Sequence, residues 1–333
     1  MTHQNDISGK YFEKQDLSER IKPILSFISQ QTEFVTDKLI QTSSWWSSPK
    51  IGAMHYSGSW RGKAAILKIQ GVKPNISEVD NILAFSKQNR SQLLRPPQVY
   101  WSLAWHKKLK FEALITEKLT EQKLISLPTT KQEIASFLLL YQEYRQNCLN
   151  QPWLSKPSMS LSEGIRQNFA QWQKIHQELF ANHPLVKKND QQLIKKAIDV
   201  LAKESQKSDW QFQHGHFSAR DIIPQGNQFV LLSNLYWSWK LPYYDAIFAF
   251  HWYQFDLANN EETTIELLDQ QRQWWKKAIK NTIGKQTNEE KRRLELAFLE
   301  RATAGLNLDG LIQPTAISEW LLDKLRQEIQ ELI

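Results

Sequence analysis

The sequence predicts an α+β protein, in which a small antiparallel β-sheet precedes a mainly helical region that contains one central β-hairpin. Apolar runs of strand length lie between residues 50 and 117, and apolar residues recur at three-to-four spacing in most segments after residue 130. Only the segment 210–235 interrupts these helical patterns with strand-like runs. The 333 residues, 41% of them hydrophobic, suffice for two lobes with separate cores. We predict a helical extension at 1–34, a first lobe at 35–120 and a second lobe at 121–333.

The composition is that of an ordinary globular protein. No segment approaches the roughly 18 uncharged apolar residues that a membrane helix needs, and residues 1–14 are polar rather than signal-like. The single cysteine, Cys148, falls on the apolar side of a helical pattern, so we predict a core residue in a reducing compartment. The net charge of +7 is spread over many segments and interleaved with carboxylates. These features predict a cytoplasmic protein with neither a membrane nor a nucleic acid as its partner.

The N-terminal extension is predicted to be helical, and the first lobe that follows it is predicted to contain two strands, a helix and two further strands. In order they span Leu17–Phe34, Lys50–Tyr56, Lys63–Gln70, Ser77–Asn89, Val99–Trp105 and Phe111–Glu117. The residues Ser57–Gly62 contain two glycines, which suit a six-residue hairpin loop. Lys68 lies within an otherwise apolar strand, and a buried lysine needs an anion nearby. We therefore interpret Lys68 as a functional residue.

The second lobe is predicted to contain six helices around one hairpin. The helices span Lys131–Asn147, Leu161–Phe180, Asp190–Ser205, Thr263–Thr282, Glu289–Ala304 and Ala316–Leu332. Thr130 and Glu133 predict a capping box at the start of the first of these helices. The hairpin turns at Pro224–Asn227, between two short apolar runs.

The residues from His214 to Asp245 resemble the aminoglycoside phosphotransferase and choline kinase family. In that family an H-G-D motif is followed five residues later by Asn, then by a hairpin, an I-D-W strand end and a G-D-P-x-Y-D element. The spacing of His214-Gly-His, Asp221, Ser233 and Pro242-Tyr-Tyr-Asp245 matches this order without gaps. The resemblance implies a two-lobed protein-kinase-like fold, ATP and Mg²⁺ as cofactors, and phosphoryl transfer to the hydroxyl group of a small molecule.

Several positions retain what the resemblance requires. Lys68 matches the lysine that contacts the nucleotide, and Glu78 is the best match for the helix glutamate that pairs with it. The strand that ends at Glu117 is similar to the one that leads to the hinge beside adenine, so Glu117 is assigned to the nucleotide site. Asp245 matches the aspartate of the Y-D element. For Asp245 we favour a structural role, in which its carboxylate accepts hydrogen bonds from loop or helix-terminus amides.

Other positions depart from the family pattern. The catalytic Asp is replaced by His216, the metal-binding Asn by Asp221, and the second metal carboxylate by Ser233. Asp221 can still bind a metal, whereas Ser233 removes an anion, and a shift of register to Asn234 would supply only a neutral amide. The segment Ser43–Ser48, taken as the phosphate loop, contains two tryptophans and no glycine, so its amides cannot approach phosphate easily.

These departures leave three hypotheses. In the first, the chain is a pseudokinase that binds a nucleotide or another small molecule, possesses an aromatic cleft suited to a cationic ligand, and acts through a protein partner. That cleft would draw on Trp237, Trp239, Trp252 and Tyr253. In the second, it is an active small-molecule kinase in which His216 replaces the catalytic Asp. In the third, His214 and His216 bind zinc together with Asp221 or His251.

Overall fold

The computed structural model describes residues 18–43, 53–71, 73, 76–120, 122, 124–125, 130–149, 151–284 and 287–333. These residues divide into two compact units. Among the described residues, the first unit draws on 18–87, 95–120 and 230–235, and the second on those within 88–94, 122–229 and 236–333. Among the described residues, no helix combines the length and apolar character that crossing a membrane demands.

The first unit is built on a five-stranded antiparallel sheet. In chain order, the elements from residue 18 to residue 117 are α1 (Ser18–Gln31), β1 (Phe34–Ser43), β2 (Ala53–Trp60), β3 (Lys63–Gln70), α2 (Glu78–Gln88), β4 (Leu94–Arg95), β5 (Val99–His106) and β6 (Phe111–Glu117). The strand order in the sheet is β1-β2-β3-β6-β5. The predicted bounds of β3 and β6 are confirmed, while the sequence did not predict β1 as a strand.

A helix covers each face of this sheet. Along β3 alternate residues are buried, and Leu67 belongs to a core cluster with Ile24 of α1. The opposite face carries Lys68 and its cross-strand neighbour Leu114, and Leu114 packs against Val79 of α2. The period-two alternation of the strand therefore directs the lysine side chain to the face that α2 covers.

The hairpin between β2 and β3 is tighter than the sequence predicts. Strand pairing continues to Trp60 and Lys63, so only Arg61 and Gly62 form the turn. Both have positive φ, 48° and 75°, as two-residue turns that match the twist of antiparallel strands require. The prediction of a six-residue loop at Ser57–Gly62 was therefore wrong, because residues 57–60 continue the strand.

The second unit is mainly helical. Its helices are α3 (Lys131–Asn147), α4 (Leu161–Leu179), α5 (Asp190–Glu204), α6 (Tyr244–Ala258), α7 (Ile265–Ile283), α8 (Asn288–Ala304) and α9 (Ala316–Leu332). The short strands are β7 (Gln211–Gln213), β8 (Ile222–Gln225), β9 (Gln228–Leu231) and β10 (Ser238–Lys240). The predicted central hairpin is confirmed as β8 and β9, and the predicted capping box of Thr130 and Glu133 is also confirmed.

The sequence did not predict α6, the helix that lies nearest in sequence to the family motif. All its residues except Trp252 and Asp256 are buried. A helix that is buried all round has no polar face, so its apolar residues show no helical periodicity. Cys148, predicted to be a core residue, is indeed buried, and it ends α3.

Candidate functional site

Lys68 and Glu78 form an ion pair within the first unit. The ammonium group of Lys68 contacts a carboxylate oxygen of Glu78, and their side chains are 17% and 8% exposed. Glu78 is the first residue of α2, and β3 directs Lys68 to the face that this helix covers. The pairing of these two residues, predicted from the resemblance, is present in the structure. The pair leaves Lys68 partly accessible, so that its ammonium group can also meet an anionic ligand.

Two further ionisable residues lie beside this pair, and the sequence analysis did not assign either. His55 on β2 is the cross-strand partner of Lys68, and burial, followed by the charge of Lys68, lowers the pKa of His55 to about 3. Glu112 on β6 is almost fully buried, and burial raises the pKa of its carboxyl group. Hydrogen bonds from Ser77 and from the backbone of Glu78 oppose that rise. The Lys68 site therefore contains a neutral imidazole and a second carboxyl group.

A sequence signal for both residues was present. Glu112 is a charged residue inside an apolar strand, which is the same pattern that singled out Lys68. His55 follows from the hairpin register, because a two-residue turn at Arg61-Gly62 pairs residue 55 with residue 68. The assumption of a six-residue loop concealed this pairing.

Glu117, which the resemblance assigns to the nucleotide site, is held at the end of β6. Its carboxylate forms an ion pair with Arg95 and accepts a hydrogen bond of 2.7 Å from the backbone N–H of Gln98. The backbone N–H of Glu117 also donates to Gln98 O at 3.0 Å. These contacts fix the strand end, and they engage the Glu117 carboxylate within the protein.

In the second unit, the loop that begins at His214 is anchored by Asp245 of α6. The carboxylate of Asp245 accepts hydrogen bonds from the backbone N–H of His214 at 3.0 Å, from the N–H of Gly215 at 2.9 Å and from the Tyr144 hydroxyl at 2.7 Å. Asp245 is fully buried. This geometry agrees with the structural role that the sequence analysis favoured, since the carboxylate accepts loop amides.

The anchoring carboxylate also predicts a pH dependence of stability. Burial raises the pKa of Asp245 from 3.8 to about 6, although the hydrogen bonds from Tyr144, Gly215 and His214 act in the opposite direction. A carboxyl group with a raised folded-state pKa contributes stability that is complete below its unfolded pKa and is lost as pH rises through the folded value. The rise of the pKa from 3.8 to about 6 corresponds to about 3 kcal/mol.

We therefore expect the stability advantage of the wild type over Asp245→Asn to shrink by about 2 kcal/mol between about pH 4.5 and about pH 7. Urea unfolding of both proteins at several pH values measures this difference, and other carboxyl groups cancel because both proteins contain them. A constant difference across this range would contradict the raised pKa of Asp245.

His216 and Asp221, which the sequence resemblance aligns with a catalytic Asp and a metal-binding Asn, contact each other. Nδ1 of His216 lies 2.8 Å from Oδ2 of Asp221, and the Ser218 hydroxyl donates to the same oxygen at 2.5 Å. Because a carboxylate oxygen is an acceptor, Nδ1 carries the proton and Nε2 retains its lone pair. The two positions thus form a His–Asp pair that orients the imidazole ring.

Aromatic side chains surround the ring of His216. Tyr236 stacks on it with a centroid distance of 4.6 Å, Phe248 lies at 4.7 Å, and Trp252 lies edge-on at 5.9 Å. Of the aromatic residues predicted to line a cleft, Trp237 and Tyr253 are instead buried in the core. Trp252 is the one that lies beside His216.

The residues at the metal positions do not fit the magnesium site that the resemblance implies. Oδ2 of Asp221 already accepts two hydrogen bonds from its own loop. Ser233 is neutral and adopts a φ of 58°, and the side-chain amide of the neighbouring Asn234 donates to Leu231 O at 2.8 Å. Magnesium sites depend on carboxylate oxygens, and only one carboxylate occupies these positions.

The remaining predictions concern zinc and the phosphate loop. Within the described ranges, no group of three or more His, Cys, Asp or Glu side chains is arranged to hold a metal ion, so the structure lends no support to a zinc site at His214 and His216. The ring of His214 is buried and packs edge-on against Trp237 at 4.9 Å. The predicted phosphate loop, Ser43–Ser48, lies outside the described residues apart from the backbone of Ser43, the last residue of β1.

Several solved small-molecule kinases have a similar fold. A thermostable mutant of aminoglycoside phosphotransferase APH(4)-Ia, in a ternary complex with ADP and hygromycin B, is 12% identical over 91% of this chain and 97% of its own, with a TM-score of 0.57. The microcompartment-associated aminopropanol kinase is 11% identical over 92% and 94%, with a TM-score of 0.59. Amicoumacin kinase hAmiN, in complex with AMP-PNP, Ca²⁺ and Ami, is 12% identical over 96% of both chains, with a TM-score of 0.54.

No protein-family model matches the sequence, and no curated protein matches it. At identities of 11–12%, similarity to solved structures establishes the fold and not the activity. The predicted fold class is confirmed, and this chain has the protein-kinase-like fold of the aminoglycoside phosphotransferases and related small-molecule kinases.

Proposed function

We propose that this protein is a pseudokinase: it binds a nucleotide at the Lys68–Glu78 pair, and its transfer of phosphate to small molecules is lost or strongly altered. The observation that carries this proposal is the hydrogen bond between His216 and Asp221. It joins the two positions that, in the family pattern, act separately as proton acceptor and metal ligand. With Ser233 at the second metal position, the residues supply only one of the carboxylates that hold the metal ions in phosphoryl transfer.

The departures from the family pattern are expected to slow phosphoryl transfer. Loss of a correctly positioned proton acceptor typically costs 10²–10⁴-fold in rate. The imidazole ring of His216 is larger than a carboxylate, and it is held by Tyr236 and Asp221. By contrast, the Lys68–Glu78 pair and the Asp245 anchor of the loop are both in place. A protein with these properties would act as a cytoplasmic ligand-binding or regulatory module, with a protein as its partner.

Nucleotide binding tests the proposal. We expect ATP or GTP to bind wild-type protein with an affinity that is similar in Mg²⁺ and in a chelator, because the metal positions lack a second carboxylate. Replacing Lys68 with alanine removes a charge-assisted contact and should weaken binding by about 10–100-fold, which corresponds to about 1.5–3 kcal/mol. Calorimetry with both nucleotides measures these affinities.

The matched control is Lys63→Ala, which removes an exposed lysine from the same strand and should leave affinity unchanged. Equal affinity of wild type and Lys68→Ala would contradict the assignment of this site. Binding that requires Mg²⁺ would contradict the loss of the metal site and would favour an active kinase.

One observation favours a second candidate, an active small-molecule kinase. The contact of Nδ1 with Asp221 leaves Nε2 of His216 unprotonated, as a general base requires. This candidate predicts ATP-dependent, Mg²⁺-dependent phosphorylation of a hydroxyl compound that His216→Asn reduces by about 10²–10⁴-fold. A screen of amino alcohols and amino sugars with labelled ATP tests it. Absence of labelled small-molecule product, with ATP bound, would support the pseudokinase.

A further inference from the structure

We propose that Nε2 of His216 is a phosphoryl acceptor, so that the protein carries a phosphohistidine at the position where the family pattern has its catalytic Asp. The proposal rests on three features of the second unit. They are the hydrogen bond between Nδ1 of His216 and Asp221, the exposure of the His216 side chain and the fixed orientation of its ring. Where ATP is the phosphoryl donor, it rests also on the nucleotide binding proposed above.

Hydrogen bonding assigns the proton of the neutral His216 ring to Nδ1, which faces a carboxylate oxygen at 2.8 Å. Two other partly exposed histidines have the opposite arrangement. Nδ1 of His106 accepts a backbone N–H at 3.0 Å, and Nδ1 of His183 accepts one at 3.3 Å. Their neutral rings carry the proton on Nε2, which then has no lone pair to donate. His176 has Nδ1 2.7 Å from a carbonyl oxygen, but this residue is only 3% exposed.

Exposure separates His216 from the buried histidines. Its side chain is 21% exposed, and no hydrogen-bond partner of Nε2 is found among the described residues. The described contacts of the ring are the bond from Nδ1 and the aromatic packing of Tyr236, Phe248 and Trp252. These contacts hold the ring plane, and the hydrogen bond among them engages Nδ1 and not Nε2.

The transfer of a phosphoryl group to Nε2 of His216 needs no metal-bound nucleophile. The Nε2 lone pair forms a bond to the γ-phosphorus of a nucleoside triphosphate, or to the phosphorus of phosphoramidate. The bond from phosphorus to the leaving oxygen, or to the leaving nitrogen, breaks, and the electron pair departs with nucleoside diphosphate or with ammonia. The ring becomes positively charged, and the carboxylate of Asp221 stabilises that charge through the Nδ1–H bond.

A phosphoryl acceptor differs from a general base in a measurable way. A general base takes a proton from a substrate and ends the reaction without a phosphoryl group, whereas an acceptor retains the group on the protein. Phosphohistidine is stable in alkali and labile in acid, so its detection requires alkaline sample handling.

The experiment incubates the full chain with potassium phosphoramidate and, separately, with labelled ATP, and locates the phosphoryl group by mass spectrometry. We expect it on residue 216 with phosphoramidate, and with ATP as well if the nucleotide binds. His216→Asn should show no phosphorylation at this position. Asp221→Asn keeps an acceptor for the Nδ1 proton but removes the negative charge that stabilises the positively charged ring, so it should react about 10–100-fold more slowly. Thermal melting of both variants verifies that they fold.

The matched control is His183→Asn, because His183 is also partly exposed and carries its proton on the other nitrogen. The His183→Asn variant should be phosphorylated at His216 to the same extent as the wild type. No phosphoryl group on residue 216 with either donor, or an unchanged rate in folded Asp221→Asn, would overturn the proposal. Labelling by phosphoramidate without any ATP binding would overturn the proposed nucleotide binding and leave the acceptor assignment standing. ATP binding without labelling by either donor would overturn the acceptor assignment and leave the proposed nucleotide binding standing.

Discussion

Replacing Asp245 with alanine is expected to lower the free energy of unfolding by about 3–5 kcal/mol, because each buried donor left without a partner costs about 1–3 kcal/mol. The variant leaves the backbone N–H of Gly215 without its acceptor, and it removes one acceptor each from His214 N–H and the Tyr144 hydroxyl. Tyr144 and Asp245 are both fully buried, so these donors have no bulk solvent to turn to. Urea unfolding near neutral pH measures the loss.

Two further variants test whether the loss of stability comes from the buried Asp245 carboxylate. Tyr144→Phe deletes one hydroxyl and should cost about 1–2 kcal/mol. Asp199→Ala removes a carboxylate from an ion pair with Arg166 in which both side chains are more than half exposed, and it should cost less than about 1 kcal/mol. A loss for Asp245→Ala no larger than that for Asp199→Ala would show that the loop does not depend on this carboxylate.

Gly215→Ala is expected to disrupt the loop that presents His216. Gly215 has a φ of 78°, where a residue with a Cβ atom is strained by about 1–2 kcal/mol. A Cβ atom at this position would also lie 2.5 Å from the backbone oxygen of Tyr236. Because this neighbour is backbone rather than the end of a flexible side chain, the loop must move. We expect a total cost of about 3 kcal/mol and loss of phosphoryl labelling at His216.

Gly226→Ala separates strain from steric conflict. Gly226 has a similar φ of 64°, but no atom lies within 4 Å of its added Cβ. This variant should therefore cost only the backbone strain of about 1–2 kcal/mol and leave labelling at His216 unchanged. Equal losses of stability in the two variants would show that the contact with Tyr236 is unimportant.

The sequence was sufficient for elements with a clear period or clear end signals. β3, α3 and α9 were predicted with their observed bounds, because alternation or a capping residue marks each of them. α6 escaped prediction because its surroundings, not its own pattern, decide that it is helical. The β2–β3 turn was misjudged because Arg61 adopts a positive φ, a conformation that its residue type rarely favours.

For the candidate site, the motif spacing singled out positions 216, 221 and 245, and the structure shows the contacts of these residues, while their functional roles stay predictions. What the sequence could not provide was the hydrogen bond between His216 and Asp221, because a bond between side chains five residues apart depends on the path of the loop. Glu112 was also missed: its place inside an apolar strand was a sequence signal, but its position beside Lys68 and Glu78 follows only from the sheet and α2 together.

The His216–Asp221 bond also makes the two positions unequal in the substitutions that they tolerate. Replacing His216 alone with aspartate would set two carboxylates against each other, and mutual repulsion disfavours the ionisation of both. Replacing Asp221 alone with asparagine keeps a side-chain oxygen that can still accept the Nδ1 proton. An aspartate at position 216 is therefore compatible with this loop only when position 221 is neutral.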